Sequence, residues 1–134
     1  MGEQENLSLI KEVYAAFGRG DLPAILGVLT DDVEWIHPRG DQIPWGGQRR
    51  GSEEVTGFFV ALGQTIDVER FEPQRFHADG DAVIVFGRER MRVKATGRSY
   101  EAAWAHEFII RDGKIARFIE YTDTASIIDG LGEA

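Results

Sequence analysis

Apolar residues recur at two periods along this chain, and the changeover divides it. Leu7, Ile10, Tyr14 and Phe17, with Val13 alongside, follow helical spacing and predict an amphipathic helix. The polar residues before Leu7 read as a frayed end. Gly18 and Gly20 end the helix. Asp21 caps a second one, with Pro23 tolerated in its first turn and Leu22, Ile25, Leu26 and Leu29 as its buried stripe. Thr30, Asp31 and Asp32 break it. Ser52, followed by Glu53 and Glu54, opens a third helix with the stripe Val55, Phe58, Phe59 and Leu62.

Between the second and third helices the period drops to two. Residues 33–37 predict a short strand stopped by Pro38, with Val33, Trp35 and His37 on one face and Glu34 and Ile36 on the other. Residues 39–50 are rich in Gly and Pro around Trp45 and predict a loop over a cavity. Beyond the third helix, residues 66–77, 82–94 and 100–111 read as long strands joined by turns at Gly80 and Gly97. Residues 124–131 predict a short last helix. Helices segregated from a meander indicate an α+β fold with helices on one sheet face.

The stretch 103–123 carries the strongest signal. Two aromatic and β-branched runs flank Arg111-Asp112-Gly113. A two-residue turn pairs Glu107 with Phe118. A three-residue turn with a left-handed Gly113 pairs Glu107 with Arg117, and is preferred because it sets opposite charges across the strands. One face then carries Trp104, His106, Phe108, Phe118 and Glu120, with Glu120 diagonal to His106. The other carries Ala105, Glu107, Ile109, Arg117, Ile119 and Tyr121. A His and a Glu on an aromatic face must find partners or lose their charge, so half of an active pocket is expected here.

Composition narrows the field. The chain has 134 residues, enough for one domain with a full core, here taken as residues 1–134. It has no cysteine, which excludes disulfides, thiolate metal sites and Cys nucleophiles. A net charge of −8 argues against nucleic acid and acidic membranes as partners. Without a transmembrane-length apolar run or a signal peptide, a cytoplasmic protein is expected.

Several motifs carry a resemblance over nearly the whole chain. They are Tyr14-Ala-Ala-Phe then Gly20-Asp21, residues 32–38 (Asp-Val-Glu-Trp-Ile-His-Pro), Arg50-Gly51, Trp104-Ala-His106, residues 111–114 (Arg-Asp-Gly-Lys) and residues 121–124 (Tyr-Thr-Asp-Thr). With the element order, they resemble the SnoaL-like branch of the nuclear-transport-factor-2-like (NTF2-like) superfamily, which includes ketosteroid isomerase. The resemblance implies a cone: a curved sheet wrapped around three helices, with a pocket at the open end. It places His37 where the isomerase has its catalytic Asp base, and His106 where it has an oxyanion-binding Asp. The isomerase's oxyanion Tyr would fall at Val13, one residue before Tyr14.

The candidate catalytic residues are therefore His37, His106, Glu120 and Tyr14. Trp35, Trp45, Phe58, Trp104, Phe108 and Phe118 are the expected walls for a small apolar or aromatic ligand. An imidazole ionises near neutrality and suits proton transfer. His37, before Pro38, is expected at the cavity rim as general base, with His106 and Tyr14 polarising a carbonyl. Isomerisation or an aldol-type cyclisation is the implied reaction. A non-catalytic binding protein and an epoxide hydrolase or dehydratase are the alternatives. His37, His106 and Glu120 could form a two-His, one-carboxylate metal set, but no local spacing supports one; neither metal nor cofactor is expected. Arg88, Arg90 and Arg92 share a face read as solvated or intersubunit. A homodimer through the outer sheet face is expected from Ile109, Ile119 and Tyr121.

Overall fold

A computed structural model describes residues 2–132. Two helices, α1 (Glu3–Gly18) and α2 (Leu22–Leu26), precede β1 (Leu29–His37) and β2 (Gly47–Arg50), and α3 (Gly51–Thr65) follows them. Four long strands follow: β3 (Ile66–Asp79), β4 (Ala82–Val93), β5 (Ser99–Arg111) and β6 (Lys114–Thr122). Helix α4 (Thr124–Leu131) closes the described chain. The expected last helix has these same bounds. The Asp21 carboxylate accepts from the Ala24 N–H at 3.2 Å, and Asp123 caps α4 by accepting from Ser126 N–H at 3.1 Å.

The strands form one sheet in the order β2-β1-β6-β5-β4-β3, with β1 parallel to β6 and the other neighbours antiparallel. Bulges in β3 interrupt its pairing near Val68 and Pro73. Proline is tolerated there because β3 is an edge strand, and bulges add the twist that curves the sheet. The concave face carries Trp35, Val83, Val85, Trp104, Phe108 and Phe118, all buried against α1 and α3. Fully burying each such side chain contributes roughly 1.5–3 kcal/mol. The outer face leaves Phe86 and Tyr121 exposed. Among the described residues no helix is long and apolar enough to cross a membrane.

Beyond β2, which forms within the stretch expected as a loop, three expectations need correction. The first turn of α1 is not frayed: Asn6 is fully buried, and Glu3 accepts from the Gly80 N–H at 2.8 Å, tying α1 to the β3–β4 turn. Leu29 does not end α2's stripe but begins β1, as Gly27 and Val28 turn the chain first. The third concerns the hairpin, where neither register holds. Asp112 and Gly113 both have positive φ, 51° and 77°, and make a two-residue turn with Arg111 opposite Lys114. Paired left-handed residues match the strand twist better than a three-residue turn. The register then slips at Ala116, because Ile110 pairs Ile115 and Ile109 pairs Arg117. Glu107 thus faces Ile119, two residues from the preferred register. A shift of two preserves every side chain's face. Arg117 instead lies beside Glu34 of β1.

Candidate functional site

Concave-face positions on β5 and β6 alternate aromatic residues with His106 and Glu120. The register sets these two directly opposite each other, not diagonal. Around them is a cavity of about 70 Å³. Its walls are apolar: Val13 and Phe17 of α1, Ile25 of α2, Trp35 of β1, Phe58, Phe59 and Leu62 of α3, with Phe71, Met91, Phe108 and Phe118. Tyr14, Glu89, His106 and Glu120 enter this lining as polar groups, and Trp45 closes one side.

Tyr14, His106 and Glu120 form a chain. The Tyr14 hydroxyl is 2.7 Å from His106 Nδ1, and Glu120 Oε1 is 3.3 Å from His106 Nε2. The second approach is close but not aligned as a hydrogen bond. An ionised carboxylate can only accept, so Nε2 carries hydrogen toward Glu120. Nδ1 then presents its lone pair to the Tyr14 hydroxyl. Burial pushes the Glu120 carboxyl up, but His106 and then His37 outweigh it and hold the group below its ordinary value. Burial, then the charge of Glu120, pushes the Tyr14 hydroxyl well above its ordinary range, so it stays protonated and able to donate. Trp104 stacks on His106 with ring centroids 4.0 Å apart and fixes its plane.

His37 differs from the expected rim base. Its side chain is 2% exposed. The loop after it folds back through tight backbone contacts: a Cβ on Gly46 would sit 2.7 Å from the Pro38 carbonyl oxygen. That closure drives Trp45 inward, where its Nε1–H donates to His37 Nε2 at 3.1 Å. An indole N–H can only donate, so Nε2 meets it with its lone pair, and Nδ1 donates to the Pro38 carbonyl at 3.0 Å. Both ring nitrogens are thereby used. Glu120 Oε2 lies 3.6 Å from Nε2, but His37 can give it a hydrogen only by losing the Trp45 bond. We therefore ascribe the lowering of Glu120 chiefly to His106.

Of the expected site residues, Tyr14, Trp35, Trp45, Phe58, His106, Phe108, Phe118 and Glu120 line the cavity. His37 and Trp104 share the buried face but stand outside the lining: Trp45 screens His37, and Trp104 lies across Gly87 against Phe71. Arg88, Arg90 and Arg92 are exposed on the opposite face, where Arg90 approaches Glu69 at 3.2 Å and Arg92 approaches Asp67 at 3.5 Å.

Glu89 was missed. It is 7% exposed and lines the cavity. Burial, then the charge of Glu120, pushes its carboxyl up to about 8. The signal was legible: in β4 the positions Val83, Val85, Gly87, Glu89, Met91 and Val93 share one face, and Glu89 breaks an apolar row as His106 does in β5. The run of arginines between drew attention to the other face. Among the described residues no group of three or more His, Asp and Glu side chains is arranged to hold a metal ion.

Comparison with known proteins agrees with this architecture. An NTF2-like protein from Burkholderia xenovorans matches with a TM-score of 0.89 and 32% identity, over 98% of this chain and 99% of that one. TerC, crystallised with polyporic acid, matches with a TM-score of 0.85 and 29% identity, over 95% of this chain and 98% of that one. Uncharacterized proteins of Mycobacterium tuberculosis are 27% identical over 130 residues, covering 94% of this chain and 95% of the relative. The SnoaL-like domain model matches residues 10–118. The chain belongs to the SnoaL-like domain family, within the NTF2-like superfamily.

Proposed function

We propose that this protein is a cofactor-independent enzyme that moves a proton on a small apolar or aromatic carbonyl compound, in an isomerisation or an aldol-type cyclisation. The observation that carries the reading is the Tyr14–His106–Glu120 chain opening on a cavity whose remaining lining, Glu89 apart, is apolar. A hydroxyl, an imidazole and a carboxylate in sequence form a proton relay. The Tyr14 hydroxyl gives its hydrogen to His106 Nδ1 as its oxygen takes one from the carbon beside the ligand's carbonyl. The electron pair of the broken C–H bond moves into the forming enolate. Glu120 stays ionised and stabilises the imidazolium. Such charge stabilisation is strong where water is excluded.

A binding protein without turnover is the second reading, favoured by the crystallisation of TerC with polyporic acid. Deuterium uptake from D2O into the α position of α-tetralone, a flat bicyclic aromatic ketone, separates the two. The proposed enzyme accelerates uptake, and His106→Gln slows it by about 10²–10⁴-fold. Saturable binding of polyporic acid with no acceleration of exchange supports the binder instead.

A further inference from the structure

We propose that Glu89 is the proton donor of this site, delivering hydrogen to a neutral oxygen of a ligand whose acidic C–H faces Tyr14 and His106. This rests on the proton-transfer reading above. The placement comes from the sheet. His106 pairs with Val85 of β4, and Glu89 stands four residues further along that strand, opposite Ala102. At about 3.3 Å per residue the two levels are about 13 Å apart along the strand. The level between them is taken by Gly87 and the Trp104 indole lying across it. Both side chains line the one cavity.

A carboxyl in this position is expensive unless it is used. It is buried, no lysine or arginine lines the cavity, and desolvation and then the charge of Glu120 push it up. The groups that bear on it are Glu120 from β6 and Tyr100 from β5, with Tyr14 of α1 across the cavity. The first is anionic and favours the uncharged acid, while both phenols are held protonated and bring no charge of their own. An uncharged carboxylic acid donates one hydrogen bond and can surrender its proton to an oxygen that gains charge. As the C–H electron pair enters the C=C bond of the enol, the carbonyl π pair moves onto oxygen and takes the Glu89 proton. The enol is neutral, Glu89 is left as carboxylate and His106 as imidazolium; returning one proton to carbon and one to Glu89 completes the cycle. The ligand end at Glu89 is therefore a ketone or ester oxygen. A carboxylate there would repel Glu120, and an ammonium would ionise Glu89 and remove the donor.

Two variants and two readouts test this. The infrared spectrum of the whole protein at neutral pH is expected to contain a protonated-carboxyl band that titrates near pH 8 and is missing from Glu89→Gln. Absence of that band overturns the proposal. Glu89→Leu is expected to fold, since it removes a buried polar group that has no partner. It should slow deuterium uptake into α-tetralone by about 10²–10³-fold, the effect of losing one oxyanion donor. Glu89→Gln keeps a donor but not the transferable proton, and should lose less rate together with the alkaline limb of the pH profile. Glu89→Leu exchanging at the wild-type rate while His106→Gln is inactive overturns the role of Glu89 alone. No acceleration by the wild type overturns the proton-transfer reading and this one with it.

Discussion

His37 and His106 sit on the same buried face, one on β1 and one on β5, and Glu120 approaches both. Their surroundings give them opposite chemistry. His37 is held by an indole N–H and a backbone carbonyl, so it has no lone pair for a ligand. His106 turns its lone pair to a hydroxyl in the cavity and its N–H to a carboxylate. Burial and residue type do not distinguish a structural histidine from a chemical one. The partners' donor and acceptor inventory does.

The largest effect that would break this contrast is on turnover. Glu120→Gln should lower α-proton exchange by about 10²–10⁴-fold while the chain stays folded, because it removes the charge that stabilises the imidazolium. Exchange rates by proton NMR check it. His37→Ala should do the reverse. It leaves a cavity and an unpaired Trp45 donor, at a cost of about 2–4 kcal/mol in urea unfolding, with exchange kept within about tenfold. Gly87→Ala sharpens the His106 side. Its Cβ would lie 2.3 Å from Trp104 Cζ2 and 2.5 Å from the Glu72 carbonyl oxygen. The indole that stacks on His106 must shift, at a cost of about 1–3 kcal/mol, readable by denaturation and tryptophan fluorescence. Tyr14→Phe should be milder for stability, about 1 kcal/mol, while exchange falls because the relay loses its hydroxyl.

The pH dependence of stability separates the two carboxylates. Glu89 has a raised value when folded, so its contribution is complete at acid pH and is lost as pH rises from its ordinary value to about 8. The slope is up to about 1.4 kcal/mol per pH unit. Glu120 is depressed when folded, so its contribution is present above its ordinary value and is lost below it. Urea midpoints across the pH range should show Glu89→Gln flattening the neutral-to-alkaline decline and Glu120→Gln the acid one.

Much of this was legible in the sequence because strand parity is robust. The hairpin register was misread by two residues, yet Trp104, His106, Phe108, Phe118 and Glu120 stayed on one face. What parity does not encode is depth and partnership. His37 read as a rim residue because Pro38 ends its strand; the closure of the Gly40–Gly46 loop, which buries it under Trp45, depends on backbone contacts between residues with no pattern of their own. The α1 start was obscured because its anchor, the Gly80 N–H, lies 77 residues away in sequence. Glu89 followed the same rule as His106, and was hidden by arginines that alternate with it.

The sharpest test is the tautomer of each histidine ring, read from nitrogen-15 shifts and long-range proton couplings at mildly alkaline pH. The account predicts opposite tautomers: hydrogen on Nδ1 and a bare Nε2 in His37, hydrogen on Nε2 and a bare Nδ1 in His106. A His37 ring with its hydrogen on Nε2, or a His106 ring with its hydrogen on Nδ1, would contradict the assignment of one ring to structure and the other to chemistry.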